Sequence, residues 1–502
     1  MSNETYSEHI FMFPFTMDIN EEKSNLMETI HTALADRWEL KKRDKYNKSN
    51  YKEYNEEVYF YKSVRKAMHT YKGDHKPITL EYEHKCYNNK NKTYYTINVR
   101  KNKKYKLQIR NIKFKIYEGK IGIITFNLLN NRYKDRDEIL EINEYGRRIY
   151  PQHIQSDNNI PHFLSEKIIL SKQCNIEKFT TDYHKVNINR ISQMIMCLLG
   201  DKFSVDEPIE SMKDKIVINP IIDDRMFVMC HYYSDDEASN VKYGLKNYEN
   251  KDYWCRYLFV DTNYSSCKND EMKDKIIKNH TYYRWSDYGT LYGITRYSYM
   301  IITDESSFSK TLGIHFHTMY YEMVCLVLAQ RACILAYSES LSKIDLEKDT
   351  AKKLEDLYKS YLESRKNLYF REVTAQEQGI ELYKMLLENM EIDRDIDKLK
   401  EEIDEIYQYV RLQEEAKNNE NISKITNLGA MFIIPNFIVC FLALIDKPLF
   451  YICRIGGVLL VILSLITKWW LKINKNKDAK LNNILNGLIG IGFFISLIGI
   501  LG

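Results

Sequence analysis

Long apolar runs near the C-terminus constrain this 502-residue chain more than any other feature of its sequence. Residues 425–445 and 484–501 carry no charged side chain, and residues 449–466 carry only Arg454. A helix of about 20 apolar residues crosses the core of a bilayer. Unpaired backbone amides are costly in lipid, so such segments must be helical. The sequence therefore predicts a membrane domain over residues 425–502, with spans at about 425–445, 449–470 and 484–501.

The charges around these runs predict how the chain crosses the membrane. Trp469 and Trp470 are followed by four lysines before residue 481, a pattern typical of the cytoplasmic side. The N-terminal sequence lacks a basic and apolar leader. We therefore expect the part before the first span to lie in the cytoplasm and the spans to lie in the inner (plasma) membrane. The 18 residues of the third run also fit a helix lying in the membrane interface.

The region upstream of the apolar runs divides into two parts. Residues 1–305 mix strand and helix patterns and predict an α/β (α+β) cytosolic sensor domain. Strands are predicted at 58–61, 78–82, 94–99, 104–117 (as a pair), 121–126, 216–218, 226–232 and 257–260, and helices at 22–35, 136–147 and 188–199. Strand patterns end near residue 307, which predicts a long α-helical stalk over residues 306–424.

The stalk contains a heptad pattern that predicts a long rod. Its apolar positions repeat with the spacing of a coiled-coil seam, at Ile392, Ile396, Leu399, Ile403, Ile406 and Val410. No helix-breaking residue separates this seam from the first apolar run, so one continuous helix is expected from about residue 392 to 445. The acidic excess of the stalk indicates either a solvated helix face or a vestibule that attracts cations.

The bulk charge and the missing motifs exclude several functions. The net charge of +4, from 73 Lys+Arg and 69 Asp+Glu, is too small to indicate a nucleic-acid partner. The ten cysteines include no C-x-x-C pair, which argues against a structural zinc site. The sequence has no Walker loop, nucleophile elbow or H-E-x-x-H motif. We therefore do not expect an enzyme.

Residues 310–470 resemble the CorA-type divalent cation channels. The best local match, residues 421–435, contains a lysine, a Leu-Thr-like pair and a proline inside the first span. The resemblance implies a CorA-like fold and a homopentamer around the helices of residues 392–445. Leu444, Ile445 and Asp446 stand where that family has Gly-Met-Asn, and the third run is additional. Both departures count against ordinary magnesium or cobalt uptake.

The cytosolic part resembles a narrower group, the CorA-like membrane effectors encoded beside type III CRISPR systems. The likeness is carried by residues 9–15, 142–151, 219–226, 284–285, 289–298 and 330–332. It implies antiviral defence by a channel or membrane-disrupting protein. Opening is implied to follow binding of a nucleotide second messenger, S-adenosylmethionine joined to AMP. The expected partners are other copies of the chain, the bilayer and this adenine nucleotide, with a divalent cation as a candidate permeant ion.

Arg147 and Arg148 are the first candidates for the ligand site. They follow Gly146 at the end of a predicted helix. Two guanidinium groups can grip a phosphate and a carboxylate. Alternatively, they neutralise the negative end of the helix dipole behind a glycine cap. The family likeness favours ligand contact.

Two further segments supply candidate ligand residues: Asp223, Asp224, Arg225, Gly289, Thr290 and Arg296. The two carboxylates precede a strongly apolar strand and can hold a ribose or an amine, although they can equally cap a turn. The backbone amides of the glycine-rich segment 289–296 can cradle a phosphate. Alternatively, this segment forms a β-turn between strands.

One face of the first span is expected to line a pore. This face contains Ser423, Asn427, Ala430, Ile434 and Phe441, and Asp446 is expected to form a carboxylate ring at the outer mouth. The apolar members would gate by dewetting. Two other functions fit the same sequence: a constitutive divalent cation transporter of the CorA type, and a non-conducting, membrane-anchored signalling receptor.

Overall fold

The structure is a computed structural model. It describes residues 5–19, 26–44, 51–74, 76–88, 92–100, 102–149, 163–172, 178–183, 191–205, 215–222, 225–245, 248–345, 351–443, 449–473 and 479–501. The chain forms two compact units, Met1–Ile403 and Asp404–Gly502. The first contains an α/β sheet domain followed by helices, and the described residues of the second are helical.

The sheet of the first unit has 14 strands among the described residues. They are β1 Ser7–Ile19, β2 Trp38–Lys41, β3 Thr79–His84, β4 Thr93–Asn98, β5 Lys104–Tyr117, β6 Ile121–Asn130, β7 Lys167–Lys172, β8 Lys178–Asp182, β9 Phe203–Ser204, β10 Ile216–Pro220, β11 Phe227–Tyr233, β12 Thr281–Tyr282, β13 Leu291–Ile294 and β14 Ser298–Thr303. The main path runs β12-β13-β14-β11-β1-β6-β5-β4-β7-β8. Neighbours on this path are antiparallel except β11 and β14, which are parallel.

The described residues also form fifteen α-helices. They are α1 Leu26–Leu34, α2 Tyr51–Tyr59, α3 Lys62–Met68, α4 Arg136–Gly146, α5 Gln193–Leu199, α6 Asp235–Lys242, α7 Tyr248–Phe259, α8 Asp270–His280, α9 Ser307–His315, α10 Tyr321–Ser342, α11 Ala351–Leu368, α12 Glu377–Asn389, α13 Ile392–Ala443, α14 Leu449–Ile473 and α15 Ala479–Leu501. A π-helical turn, Phe316–Tyr320, joins α9 to α10. The last strand therefore ends at Thr303, and the regular elements described beyond it are helices.

The core of the first unit forms around the central strand β1. Five of its apolar side chains are fully buried: Ile10, Phe11, Met12, Phe13 and Phe15. Consecutive buried residues point to alternate faces of a strand, so both faces of the sheet are covered here. The helix α4 packs on this strand and ends in Gly146, whose missing side chain leaves room for the Phe11 ring and Ile97.

Several predicted elements are confirmed. The strands β3, β4, β6, β10 and β11 and the helix α4 lie close to their predicted positions. The strand predictions at 58–61 and 257–260 are wrong, because these segments lie at the C-terminal ends of α2 and α7. Phe60, Tyr257 and Leu258 are buried there, and tertiary packing overrides β-propensity. The segment 104–117 forms the single strand β5 and not two paired strands.

The predicted rod is confirmed as the 52-residue helix α13. The seam of a coiled coil packs against a partner helix. Four seam residues of the first unit, Ile392, Ile396, Leu399 and Ile403, are instead at most 6% exposed within a single chain. The seam therefore finds its packing inside the first unit. An argument for assembly has to rest on the later part of α13.

The apolar stretches of the chain occur in two different settings. Among the described residues, the stretch long and apolar enough to cross a membrane is Phe308–Ser342, and 89% of its apolar window is buried. This stretch contains α10, and its apolar character follows from core packing. Shorter apolar stretches occur within the predicted spans, at Ile455–Leu465 and Ile484–Ile495.

The second unit contains a hairpin formed by α14 and α15, which pack side by side. Gly492 lies against α14 so closely that a Cβ there would sit 2.9 Å from Val461 and 3.0 Å from the Gly457 carbonyl. At one end of the hairpin, Lys468 Nζ donates to Asn486 Oδ1 at 2.7 Å. Small residues that bring two backbones this close are characteristic of helix pairs in membranes.

A substitution at Gly146 tests the packing beneath the candidate site. A Cβ there would lie 2.8 Å from the Phe11 ring and 2.9 Å from Ile97 Cδ1. We expect Gly146→Ala to lower the free energy of unfolding by about 1–3 kcal/mol through overpacking, measured by denaturant titration. Gly429→Ala is the control, since nothing lies within 4 Å of its Cβ position. Equal stability of the Gly146 variant and the wild type would contradict this packing.

Candidate functional site

The two predicted arginines lie where α4 meets the beginning of β11. The Arg147 carbonyl accepts a hydrogen bond from the Met226 amide at 2.8 Å. Arg148 forms an isolated antiparallel bridge with Arg225. These backbone contacts hold the end of α4 beside the start of β11. The structure therefore brings Arg147, Arg148 and Arg225 together from positions almost 80 residues apart.

Arg147 is the most constrained of these arginines. Arg147 is 2% exposed, and one terminal nitrogen of its guanidinium group donates to the Val260 carbonyl at 3.3 Å. Its Nε has no hydrogen-bond partner among the described residues. Burial and the charges of Arg148 and Arg225 lower the pKa of Arg147 to about 9, against the opposing effect of Glu144. Among the described residues, its positive charge is thus only partly compensated, by Glu144 and Asp261.

The nearby carboxylates are already engaged. Glu144 is 8% exposed, and its Oε2 accepts hydrogen bonds from the Thr262 amide and hydroxyl, both at 2.9 Å. Its other oxygen lies 3.7 Å from an Arg148 terminal nitrogen. Asp261 accepts from the Ser266 amide, and burial raises the pKa of this carboxyl. Neither group is placed to neutralise Arg147 fully.

Aromatic rings extend the site toward α10. The Arg148 guanidinium lies 4.6 Å from the Phe163 ring. The guanidinium groups of Arg225 and Arg331 each lie 5.1 Å from the Tyr297 ring. Cations held against aromatic faces gain electrostatic attraction without a carboxylate. We refer to Arg147, Arg148, Arg225 and Arg331, with Tyr297, as the arginine cluster.

Arg331 is the functional candidate that sequence reasoning missed. It is 6% exposed and lies in the buried helix α10, over 100 residues from Arg225. In the sequence, its segment is distinguished only by the family likeness of residues 330–332. A charged side chain inside an apolar helix was the available signal, because arginine is almost never buried without a specific partner.

The glycine-rich segment is not assembled into the arginine cluster as a unit. Gly289 has a φ of +72° and ends a short 3-10 turn, and buried Thr290 follows it. Arg296 lies beyond the other end of β13. The strand β13 pairs with β12 on one side and with β14 on the other, so its backbone groups belong to the sheet. The segment therefore forms a turn and a paired strand.

The remaining predicted site residues are only partly described. Asp223, Asp224 and Asp446 lie outside the described residues, and so do the side chains of Ile434 and Phe441. The three other predicted pore residues are exposed on α13: Ser423, Asn427 and Ala430. On the same helix, Leu428 is covered, with 9% exposure. In this part of α13, Leu428 is therefore covered, whereas the three described residues of the predicted pore face are exposed.

A second group of buried side chains has the composition of a metal site. Ligand atoms of His69, Glu81 and Glu322 lie within 4.8 Å of one another. However, the Lys115 ammonium pairs with the Glu322 carboxylate and lies 3.8 Å from Glu81. This ammonium is therefore the cation that balances the two carboxylates.

The surrounding charges balance this second group further. Lys113 lies 3.1 Å from Glu81, and Arg43 pairs with Glu56. Burial raises the pKa of Glu322 to about 7, against the opposing charge of Lys115. Three cations thus face three carboxylates here, and an added divalent cation would leave a buried excess of charge, which is costly. We assign this group to anchoring α10 on the sheet.

No protein-family model, no curated protein and no solved structure matches this chain. Its functional interpretation therefore depends on its own residues and on their geometry.

Proposed function

We propose that this protein is a membrane effector that is opened by an anionic adenine nucleotide bound at the arginine cluster. The observation that carries the proposal is the buried and only partly compensated charge of Arg147. The charges of Arg148 and Arg225 act on Arg147, Arg331 shares the Tyr297 ring with Arg225, and the two described carboxylates nearby are already hydrogen-bonded. A phosphate would add counter-charge through charge-assisted hydrogen bonds. Arginine forks and aromatic rings suit a phosphate joined to a base.

The membrane part of the proposal is supported by exposed apolar side chains on the second unit. On α14 and α15, eight large apolar residues are 46–67% exposed: Ile455, Val458, Ile462, Leu465, Ile484, Ile491, Phe493 and Phe494. Contiguous apolar surface on this scale marks a membrane or protein contact. The hydroxyls of Ser464 and Thr467 donate to backbone carbonyls of α14. They are therefore satisfied without water, as a bilayer requires. We propose that 425–445, 449–470 and 484–501 span the inner membrane.

The later part of α13 supports assembly of several copies. Ile422, Ile425, Ile433 and Phe437 are 59–72% exposed. Ser423, Asn427 and Ala430 occupy the same stretch of the helix. We propose a homopentamer in which α13 lines the axis and Asp446 closes the outer mouth. The chain would then act as a channel or as a membrane-disrupting protein with a cytoplasmic sensor.

The sequence resemblance selects the nucleotide to test first. We propose S-adenosylmethionine joined to AMP as the natural ligand and type III CRISPR defence as the setting. This ligand combines a phosphate with a cationic sulfonium and a carboxylate. Arginines can bind its anionic groups. Neither an enzymatic reaction nor a direct nucleic-acid contact forms part of the proposal.

Calorimetry on the purified full-length protein in detergent tests the site. Titrants are the S-adenosylmethionine–AMP conjugate, AMP and ATP. We expect Arg331→Ala to weaken binding by at least roughly 30-fold, since a buried charge-assisted contact is lost. Arg284→Ala is the matched control, because Arg284 is a partly exposed arginine already paired with Glu381.

Two results would contradict the proposal at this step. Absence of binding by the wild-type protein to all three nucleotides would overturn nucleotide gating and favour a constitutive cation transporter. Equal binding by wild type and Arg331→Ala would exclude α10 from the site.

A further inference from the structure

The junction between α12 and α13 is held by an unusual residue. Glu391 is the single residue between the C-cap of α12 and the first residue of α13, and it has a φ of +56°. This left-handed conformation is unfavourable for a residue with a side chain. Such residues persist where surrounding contacts over-determine them, and they cluster at switch regions. The contacts of Glu391 must therefore hold it in this conformation.

Arg296 supplies one of these contacts from the sheet. One terminal nitrogen of Arg296 donates to Glu391 Oε2 at 2.9 Å, and the other lies 3.7 Å from Asp395 Oδ2. The Asp395 amide in turn donates to the Glu391 carbonyl at 3.0 Å. Arg296 thus contacts the carboxylate that immediately precedes α13 and one carboxylate of its first turn. We refer to Arg296, Glu391 and Asp395 as the latch.

The same residue contacts the arginine cluster through its backbone. The Arg296 carbonyl accepts a hydrogen bond from Arg331 at 2.9 Å. The next residue is Tyr297, whose ring lies beside Arg225 and Arg331 and whose carbonyl accepts from the Val228 amide at 3.1 Å. A shift of Arg331 or Tyr297 would therefore move Arg296 directly.

The latch is weak enough to open. The side chains of Arg296, Glu391 and Asp395 are 39%, 33% and 26% exposed, and water screens partly exposed ion pairs. A switch requires two states that differ little in free energy, so that a ligand's preference for one state can shift the populations. Because α13 continues without interruption to Ala443, its first turn is connected by one helix to the residues of the proposed pore.

We propose that Arg296 is the coupling residue of this protein: the latch holds the first turn of α13 in the resting state, and an anion bound at the arginine cluster releases it. This inference rests on the proposed function and adds its regulation. An anion drawn to Arg225 and Arg331 competes for the positions that now fix Arg296. Release of Arg296 leaves Glu391 free to relax from its strained conformation.

The test compares Arg296→Ala with two other variants of the full-length protein. Arg296→Lys retains the charge, and Arg394→Ala is the matched control. Arg394 binds the same two carboxylates but follows Glu391 on α13 and is not part of the arginine cluster. Binding of the S-adenosylmethionine–AMP conjugate is measured by calorimetry, and coupling is measured as dye release from liposomes with and without the conjugate.

Arg296→Ala is expected to bind the conjugate at least as tightly as the wild type, with a gain of up to about fivefold, since a weakened resting state favours the liganded one. Dye release without the conjugate should rise, and stimulation by the conjugate should shrink. Arg296→Lys should behave between Arg296→Ala and the wild type. Arg394→Ala should behave like the wild type.

Three outcomes would overturn the latch. Dye release by Arg296→Ala that depends on the conjugate as in the wild type would show that Arg296 carries no coupling. Equal effects of Arg296→Ala and Arg394→Ala would indicate only a weakened helix start. Loss of binding in Arg296→Ala would make Arg296 a ligand contact. Failure of the proposed function is distinct, because the wild type would then bind no conjugate.

Discussion

Replacing Arg147 by methionine is expected to abolish nucleotide binding and to raise the melting temperature of the ligand-free protein. Burial and neighbouring arginines lower the pKa of Arg147 to about 9, whereas the unfolded chain holds that proton with the ordinary arginine pKa. The charged form therefore destabilises the fold at every pH below about 9. Methionine keeps an unbranched apolar stem and removes the charge. The lost hydrogen bond to Val260 offsets part of this gain.

The size of the effect follows from the depth of the site. One pKa unit corresponds to about 1.4 kcal/mol, so the lowered pKa represents a cost on the order of several kcal/mol in the ligand-free state. After the lost hydrogen bond is subtracted, we expect a rise in melting temperature of about 2–4 °C. Binding of the S-adenosylmethionine–AMP conjugate should fall by at least roughly 30-fold.

Thermal unfolding with and without the conjugate measures both effects. In the wild type, the conjugate should raise the melting temperature; in Arg147→Met it should not. Arg284→Met is the control, because it removes an arginine that is 39% exposed and paired with Glu381. A ligand-free Arg147→Met that melts below the wild type and still binds the conjugate would show that Arg147 is a structural helix-end residue.

Placing two lysines on the exposed face of α15 is expected to keep the third proposed span out of the membrane. Ile491 and Phe494 are 54% and 67% exposed and lie near the middle of the proposed third span. A lysine at the centre of a spanning helix costs about 3 kcal/mol, so the double variant Ile491→Lys with Phe494→Lys should prevent stable insertion of α15. In a soluble protein, the same exposed positions would tolerate lysine.

Carbonate extraction of isolated membranes, combined with detection of a C-terminal epitope on intact spheroplasts, provides the measurement. Both proteins should stay in the membrane pellet through their first two spans, but only the wild type should show its epitope outside the membrane. Leu412→Lys is the control, since Leu412 is 64% exposed on the part of α13 that precedes the proposed spans. Complete extraction of the wild type, or an epitope of the double variant that is still outside the membrane, would contradict the spanning assignment.

Local patterns predicted the parts of the fold that depend on local physics. The helix α13 follows from a heptad repeat without breakers, and β3, β4, β6 and β11 follow from β-branched and aromatic runs between turns. The C-terminal ends of α2 and α7 carry similar residues, but tertiary packing, which local patterns do not encode, made them helical. Long-range packing also hid the partner of the seam, because Ile392 and Ile403 are buried within a single chain.

The candidate site was predictable in part. The adjacent pair Arg147 and Arg148 is visible in the sequence, and the structure adds Arg225 beside it. The approach of Arg331 depends on how α10 packs against the sheet, and no sequence spacing encodes that distance. The role of Arg296 was likewise hidden, since its carboxylate partners Glu391 and Asp395 follow it by almost 100 residues.

Dye release from liposomes that contain purified full-length protein tests the central claim most directly. We predict little release from wild-type liposomes alone, strong release after addition of the S-adenosylmethionine–AMP conjugate, and no stimulated release from Arg147→Met liposomes at equal protein content. Release that is the same with and without the conjugate, in a wild-type protein shown by calorimetry to bind it, would contradict nucleotide gating of the membrane domain.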